Sequence, residues 1–267
     1  QYNIIPPDNP VIGIIGNSAV LPCQIHVQIN PDKLSVQWSF SGASRGSVVA
    51  TYSGNNQPTP VQKHQEYQGR TDFFLMEFQR GNVSLLLTNI QPSDKGKYIC
   101  SVFAESWYDQ VEVDLEVAAA GDKSMVFLDG RVGNGIKISC RSQGWFPAPT
   151  LDWRDNRGRE RPEPAITENI SSSSGVFSVQ SSMILEPGSD RELSCTVVND
   201  LLKASCGSRL RISNSFFPST DPWMVVSLGI LLLDLGILGA MGYKLKGESF
   251  QREPDAEIVG KAKTQIK

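Results

Sequence analysis

One long apolar run and many short alternating stretches divide the chain into a predicted membrane helix and a predicted β-rich region. The run WMVVSLGILLLDLGILGAMGY occupies residues 223–243 and holds a single ionisable side chain, Asp234. At 1.5 Å of rise per residue, such a helix is long enough to cross a hydrocarbon core of about 30 Å. Trp223 and Tyr243 stand at its two ends, where aromatic rings favour the headgroup region. We therefore predict a transmembrane helix at residues 223–243.

The charges beside the run predict its orientation. Lys244 and Lys246 follow directly, whereas the eight residues before the run contain no base. Positive charge marks the cytoplasmic side, so we expect residues 1–222 outside the cell, as in a type I single-pass protein. Insertion in this orientation requires a signal peptide, and none precedes Gln1. We therefore expect the sequence to be that of a mature chain.

Three residues within the run are candidates for helix association. Asp234 falls near the centre of the span, where an ionised carboxylate costs about 2.5–3.5 kcal/mol on insertion scales. Asp234 could contact a base or hydroxyl of another helix, or it could be protonated and tolerated in an otherwise strongly apolar helix. Gly236 and Ala240 form a small-xxx-small pair beside it, which permits close helix approach. We predict transmembrane association through these three residues.

The first part of the extracellular region has the period of β-strands. Residues 18–23 and 83–87 alternate so that every second side chain would be buried, and turn residues at 81–82 and 91–94 interrupt the strands. This pattern predicts strands separated by tight turns.

A first cysteine frame predicts the type of sandwich. Cys23, Trp38 and Cys100 have the spacing of two sheets joined by a disulfide against which a tryptophan packs. The interval between the two cysteines leaves room for about nine strands, which is typical of the variable-type immunoglobulin domain. We therefore predict a disulfide between Cys23 and Cys100.

Three polar residues of the first domain are predicted to be structural. Tyr98 stands two residues before Cys100, which is the position of the tyrosine corner. Arg70 opens a predicted strand and is placed to pair with Asp94. We interpret this ion pair as part of the fold rather than as a binding site.

A second, shorter frame follows. Cys140, Trp153 and Cys195 predict a seven-strand constant-type domain with its own disulfide, and Leu193 stands where the tyrosine of the corner would be.

The fold class is therefore all-β: two tandem immunoglobulin-like sandwiches, variable type then constant type, plus one transmembrane α-helix. The predicted segments are a variable-type domain at 1–118, a constant-type domain at 119–215, a stalk at 216–222, the helix at 223–243 and a short cytoplasmic tail at 244–267.

One cysteine and two glycosylation sequons complete the extracellular inventory. Cys206 has no predicted partner: it is either a buried free thiol, which we prefer because cysteines on strands are small and mostly point inward, or a bridge to another chain. Asn82-Val-Ser84 and Asn169-Ile-Ser171 are predicted N-glycosylation sites, with unused sequons as the alternative.

Composition and motifs exclude several classes of protein. The chain is 40% hydrophobic and 20% charged with a net charge of −3, which excludes a disordered chain, a collagen and a strongly basic nucleic-acid binder. The sequence contains no nucleophile motif, no phosphate-binding glycine loop and no cluster of histidines and cysteines. We therefore expect neither an enzyme nor a protein with a metal or other cofactor.

The second domain carries a more specific signature. Cys140-Arg-Ser-Gln-Gly-Trp145-Phe146-Pro147-Ala-Pro149, followed by Leu151-Asp-Trp153, resembles the membrane-proximal domain of butyrophilins. Leu193 in the tyrosine position agrees with the same domain. Further stretches that resemble this family are residues 67–70, 94–100, 117–121, 194–197 and 214–217. The resemblance covers the chain from about residue 10 to residue 243.

The resemblance implies a cell-surface glycoprotein at the plasma membrane that binds a protein receptor on another cell and regulates T cells. Many butyrophilins also carry a cytoplasmic PRY-SPRY domain, whereas residues 244–267 contain no tyrosine and no folded module, so we expect a short form or a shortened chain. The alternative function is an adhesion protein that associates with its own copies or with related chains, without immune signalling. Nucleic acid is not an expected partner.

Binding residues are predicted at the membrane-distal end of the first domain. The loop after Cys100 contains Trp and Tyr, which bury a large area at interfaces with few torsions to fix. In the alternative, Trp107 or Tyr108 begins the next strand and packs inward. Trp145 and Phe146 are interpreted as structural. The predicted partner-binding residues are Phe103, Glu105, Trp107 and Tyr108 on this loop, with Tyr52 and His26 on two neighbouring loops.

Overall fold

The computed structural model describes residues 3–41, 47–54, 62–63, 65–213, 216 and 222–262. The chain forms two compact units, Gln1–Ser213 and Asn214–Lys267. The first unit contains two β-sandwiches and the second contains one helix. The predicted fold class is confirmed.

The first sandwich consists of three sheets. A six-stranded sheet has the order β2-β11-β10-β5-β6-β7, a three-stranded sheet the order β3-β9-β8, and β1 pairs with β4. Strand β2 runs parallel to β11, and the other pairs are antiparallel. The strands are β1 Ile4–Ile5, β2 Val11–Ile14, β3 Ala19–Leu21, β4 Gln24–Ile25, β5 Leu34–Ser41, β6 Ser47–Ser53, β7 Gln62–Lys63, β8 Thr71–Phe73, β9 Leu85–Leu87, β10 Gly96–Ala104 and β11 Trp107–Ala118. Short 3₁₀ helices lie at Pro31–Lys33, Gln65–Tyr67, Leu75–Arg80 and Pro92–Asp94.

The core of the first sandwich lies around its disulfide. Cys23 and Cys100 are joined and fully buried, and Trp38 lies directly opposite Cys100 on the neighbouring strand. The Trp38 indole N–H donates a hydrogen bond to the carbonyl of Val83 at 3.1 Å, so the buried polar atom of this large apolar side chain is satisfied.

The tyrosine corner and the ion pair beside it close one end of this sandwich. The Tyr98 hydroxyl donates to the carbonyl oxygen of Asp94 at 3.0 Å, and burial raises the pKa of the Tyr98 phenol. The buried Asp94 carboxylate pairs with the Arg70 guanidinium and accepts the backbone N–H of Gln91 at 2.8 Å. These polar groups satisfy one another inside the protein, which makes their role structural.

The second sandwich has seven strands in the described residues. A four-stranded sheet has the order β12-β13-β16-β15 and faces a three-stranded sheet β14-β17-β18. Cys140 on β13 is joined to Cys195 on β17. The strands are β12 Met125–Val132, β13 Gly135–Trp145, β14 Thr150–Asp155, β15 Ala165–Ser171, β16 Phe177–Leu185, β17 Glu192–Asn199 and β18 Ala204–Arg211.

The Trp-Phe pair of the second sandwich is structural. Trp145 is 1% exposed and its indole N–H donates to the Ser142 hydroxyl at 2.8 Å. Phe146 packs against the core of the first sandwich and exchanges two backbone hydrogen bonds with Ala119, at 2.8 and 3.2 Å. The Asn199 side-chain amide donates to the carbonyl oxygens of both Phe146 and Ala119. These residues therefore fix the path of the chain between the two sandwiches.

The structure corrects the expectation of a buried thiol at Cys206. Cys206 lies on the edge strand β18 opposite the buried Val197, so it is on the inner side of its sheet. Among the residues that the structure describes, no strand lies beyond β18 in this sheet, and the Cys206 side chain is only half-buried. Its sulfur accepts the backbone N–H of Ser124 at 3.1 Å.

The second unit is an α-helix, α1, at Pro222–Ala262. Trp223–Lys244 is the one segment in the described part of the chain that is long and apolar enough to cross a membrane, and none of it is buried within the protein. The helix extends beyond the predicted span at 223–243 into the region predicted to be a short cytoplasmic tail. The apolar pattern marks the residues suited to lipid, and a helix need not end where that pattern ends.

Candidate functional site

The outer side of the six-stranded sheet can be assigned from strand parity. Successive side chains of a strand point to opposite sides of the sheet. Cys100 points inward to its disulfide, so Ile99, Ser101 and Phe103 point outward on β10. On β11 the buried residues between Trp107 and Val117 are Val111, Val113, Leu115 and Val117, which places the even-numbered residues of this stretch outward. We call this outer side of strands β11, β10, β5 and β6 the front face.

Two aromatic rings lie exposed on the front face. Phe103 and Tyr108 are directly opposite each other on β10 and β11, with ring centroids 4.5 Å apart. Phe103 is 48% exposed and Tyr108 is 51% exposed, although each could bury a large apolar area. The Tyr108 hydroxyl donates to the side-chain oxygen of Gln110 at 2.7 Å. The pair is therefore an ordered apolar surface with a polar edge.

The side chains that surround the aromatic pair are small or medium-sized and mostly polar. Phe103 also lies opposite Ser35, and Ser101 lies opposite Gln37 and Gln110. Such side chains leave the rings accessible and can form hydrogen bonds with a partner. Further residues of the front face are Ser39, Thr51, Ser53, the half-buried Ile99 and the exposed Val48.

The structure corrects the predicted position of Trp107 and Tyr108. The turn between β10 and β11 consists of Glu105 and Ser106 alone, so both aromatic residues belong to strand β11 rather than to a loop tip. Trp107 is half-buried on the inner side and packs against the core. Of these two residues, Tyr108 is the one available on the front face, where Phe103 joins it.

Tyr52 is also placed differently from the prediction. It lies on β6 opposite the buried Val36, which puts it on the inner side of the sheet. Its ring packs edge-on against Phe78, with centroids 4.7 Å apart. Tyr52 therefore contributes to packing rather than to a binding loop.

An exposed ion pair lies at the hairpin tip beside the front face. Glu105 pairs with Lys33 at 2.8 Å, and both side chains are exposed. The hydrogen bond from Lys33, together with its positive charge, holds the pKa of the Glu105 carboxyl below its ordinary value. Glu105 thus lies at the edge of the front face, where exposed ion pairs act mainly on partner choice and association rate.

His26 stays apart from the aromatic pair. It is exposed just after β4, outside the six-stranded sheet, and its backbone N–H donates to the carbonyl of Asn3 at 3.4 Å. No contact joins it to Phe103 or Tyr108 among the described residues. The structure therefore brings together Phe103, Tyr108 and Glu105, but not His26, Tyr52 or Trp107.

The half of the front face away from the hairpin tip is slightly acidic. Lys97 lies between Glu112, at 2.7 Å, and Asp114, at 3.9 Å. Lys95 pairs with Glu116 at 2.8 Å. Three carboxylates therefore meet two ammonium groups here, which favours a partner with complementary positive charge.

Both glycosylation sequons lie on accessible β structure. Asn169 is exposed on the edge strand β15, and Asn82 is half-buried with its side-chain oxygen accepting the N–H of Ser84 at 3.2 Å. We predict that Asn169→Gln and Asn82→Gln each remove one glycan in mammalian cells. Digestion with an N-glycosidase followed by electrophoresis checks this prediction. Mobility that does not change in either variant would show that the sequons are unused.

The predicted helix-association residues lie on two sides of α1. Asp234 and Gly236 are two residues apart, which is about 200° of rotation at 3.6 residues per turn. Gly236 and Ala240 are four residues apart and lie on one side. One partner helix cannot contact all three residues in the same way.

Comparison with known proteins agrees with this architecture. Residues 6–118 match the family model described as immunoglobulin V-set domain, and residues 121–205 match the model described as butyrophilin subfamily 3 member A2-like, Ig-C domain. Butyrophilin subfamily 2 member A2 from Homo sapiens is 32% identical over 87% of this chain and 43% of its own length. The chain belongs to the butyrophilin family. The family predicted from the Gly-Trp-Phe-Pro run is thus confirmed.

Other butyrophilins and solved structures support the assignment. Butyrophilin subfamily 2 member A2 from Mus musculus is 30% identical over 98% of this chain and 51% of its own length. The chain therefore spans about half the length of the relatives it matches. The crystal structure of bovine butyrophilin superposes with a TM-score of 0.70 and 25% identity, over 79% of this chain and 99% of that one. A chain from the crystal structure of ICOS in complex with ICOS-L and an anti ICOS-L VNAR domain shares the fold, at a TM-score of 0.65 and 21% identity, over 77% of this chain and 100% of that one.

Proposed function

We propose that this cell-surface butyrophilin resides in the plasma membrane and binds a protein receptor on another cell through its front face. We propose further that the receptor is on T cells and that binding regulates their response. The observation that carries the proposal is the exposed aromatic pair of Phe103 and Tyr108.

The physical support is the composition and order of the front face. Interface hot spots are enriched in aromatic residues that lie centrally and are surrounded by polar groups. Phe103 and Tyr108 have the polar surroundings of such residues, since Ser35 and Gln110 flank them and the Lys33–Glu105 pair lies at the adjacent hairpin tip. Their backbone belongs to paired strands, so little conformational entropy is lost on binding.

The comparisons support the same class of function. The relatives are butyrophilins, and one structure that shares the fold contains a complex of ICOS with ICOS-L. Because a fold does not determine a partner, the T-cell assignment depends on the family resemblance, and the binding surface depends on the front face.

A second candidate function is self-association through the second sandwich. The outer side of its four-stranded sheet exposes several large apolar side chains, among them Ile166 at 70% and Ile170 at 56%. Clusters of this kind on extracellular domains mark contacts with other proteins. The other members are Met125, Phe127 and Ile184.

Alanine at Phe103 or Tyr108 tests the proposed receptor contact. We expect either substitution to weaken staining of T cells by the extracellular region at least tenfold, since central aromatic side chains contribute about 2 kcal/mol or more. Phe127→Ala is the matched control, because it removes an exposed ring from the second sandwich and should leave staining unchanged. Staining that survives both front-face changes in folded protein would contradict the proposal. Absence of T-cell staining by the unaltered extracellular region, together with self-association that Phe127→Ala weakens, would favour the second candidate function.

A further inference from the structure

Asp234 is a carboxylate placed in the middle of the membrane-spanning segment. It lies midway between Trp223 and Lys244, the two ends of the apolar segment. The surrounding segment is helical throughout, and within the described residues Asp234 has neither an ion-pair partner nor a hydrogen-bond partner for its side chain. A group of this kind requires a partner when it lies in hydrocarbon.

The ionised Asp234 carboxylate has no hydrogen-bond donor available within the described part of its own helix. At 1.5 Å of rise per residue, Asp234 is about 15 Å from either end of the span, and its single methylene is too short to carry the carboxylate to the headgroups. The neighbouring backbone N–H groups are used in the helix, because Asp234 lies far from the first turn of α1. The ionised carboxylate can therefore be paired only by another molecule within the membrane.

A second polar group lies on the same side of the helix. Ser227 precedes Asp234 by seven residues, which places the two within about 20° of each other. The Ser227 hydroxyl donates to the carbonyl of Met224 at 3.0 Å, so its oxygen remains as an acceptor. Gly236 and Ala240 lie on the other side of α1. We call the side with Ser227 and Asp234 the Asp234 face.

Both polar groups on this face offer acceptors, which defines the chemistry of the partner. A carboxylate is acceptor-only when ionised and is best matched by an ammonium or a guanidinium. A second copy of this chain would instead bring another carboxylate to the first, and like charges in a low dielectric repel strongly. The face is therefore complementary to a cation rather than to itself.

We propose that the Asp234 face binds the transmembrane helix of a different single-pass protein that carries a lysine or arginine at the centre of its own span. The two charges would lie at the same depth in the membrane and neutralise each other. Pairing therefore lowers the free-energy cost of placing each charged side chain in lipid. This contact is separate from the front face and would link the extracellular receptor contact to an associated chain in the same membrane.

A designed probe helix tests the proposal with the full chain in cells. The probe is a tagged single-pass protein whose span consists of leucine and alanine with one central lysine, and its twin has leucine at that position. We expect the lysine probe to be co-captured in mild detergent about tenfold more than its twin. Asp234→Asn should abolish this difference, whereas Leu235→Ala, off the Asp234 face, should retain it. Surface staining with an antibody to an extracellular tag normalises each variant for expression.

A charge exchange completes the test. Asp234→Lys should lose the lysine probe and gain a probe with a central aspartate, which a merely structural effect of the substitution would not produce. Equal capture of the lysine and leucine probes would overturn the proposal. Capture of the lysine probe by Asp234→Asn at the wild-type level would do the same. An Asp234-dependent co-capture of two differently tagged copies of this chain, with no lysine probe present, would also overturn it by identifying a second copy as the partner.

Discussion

Replacing Asp94 with alanine is expected to destabilise the first sandwich by about 3–5 kcal/mol, since removing one member of a buried ion pair leaves the other charge uncompensated. Asp94 pairs with Arg70, and the exposed fractions of their side chains are only 4% and 15%. The carboxylate also accepts the backbone N–H of Gln91, which would lose its partner. Urea unfolding of residues 1–213, which form one compact unit, measures the loss.

Two comparisons make this prediction specific. Glu112→Ala breaks the exposed pair with Lys97 and should change stability very little, because solvent screens such pairs. The double change Arg70→Met with Asp94→Leu should be less destabilising than Asp94→Ala, since no charge is then left buried. If Asp94→Ala proved as mild as Glu112→Ala, the Arg70–Asp94 pair would not be structural.

The sequence allowed most of the fold to be predicted because the relevant signals are spacings along strands of fixed period. Cys23, Trp38 and Cys100 predicted the core of the first sandwich, and Tyr98 predicted its corner, without knowledge of strand pairing. The short frame from Cys140 to Cys195 predicted the second sandwich in the same way. The apolar run predicted the span but not the length of α1, because a helix can continue in water beyond the lipid.

The candidate site could be predicted only in part. Phe103 and Tyr108 were candidates, but their placement on strands depends on a two-residue turn, and turn length is set by where pairing stops. Strand parity from Cys100 and Val111 would have placed both rings on the outer side, so this signal was available in the sequence. Tyr52 is different: the shift in register between Trp38 and Ser39 changes which residues of β6 point inward. A bulge of this kind leaves no clear mark in the sequence.

Replacing Cys140 and Cys195 together with alanine is expected to destabilise the second sandwich by about 4 kcal/mol. The disulfide closes a loop of 55 residues, and its removal restores conformational entropy to the unfolded chain. The two sulfurs are also fully buried between the sheets, so the change leaves a cavity beside Trp153. Urea unfolding of residues 1–213 under non-reducing conditions, compared with wild type, measures the effect.

Cys206→Ser is the matched control because it changes the same residue type in the same sandwich. Its thiol is half-buried at the edge strand and accepts one backbone N–H from Ser124, which a hydroxyl can also accept. The change should therefore stay within about 0.5 kcal/mol of wild type. A loss comparable to that of the double cysteine variant would contradict the assignment of Cys206 as a free thiol. A disulfide-linked dimer that Cys206→Ser abolishes on non-reducing electrophoresis would instead show that this edge thiol bridges two chains, since its partial exposure leaves the sulfur accessible.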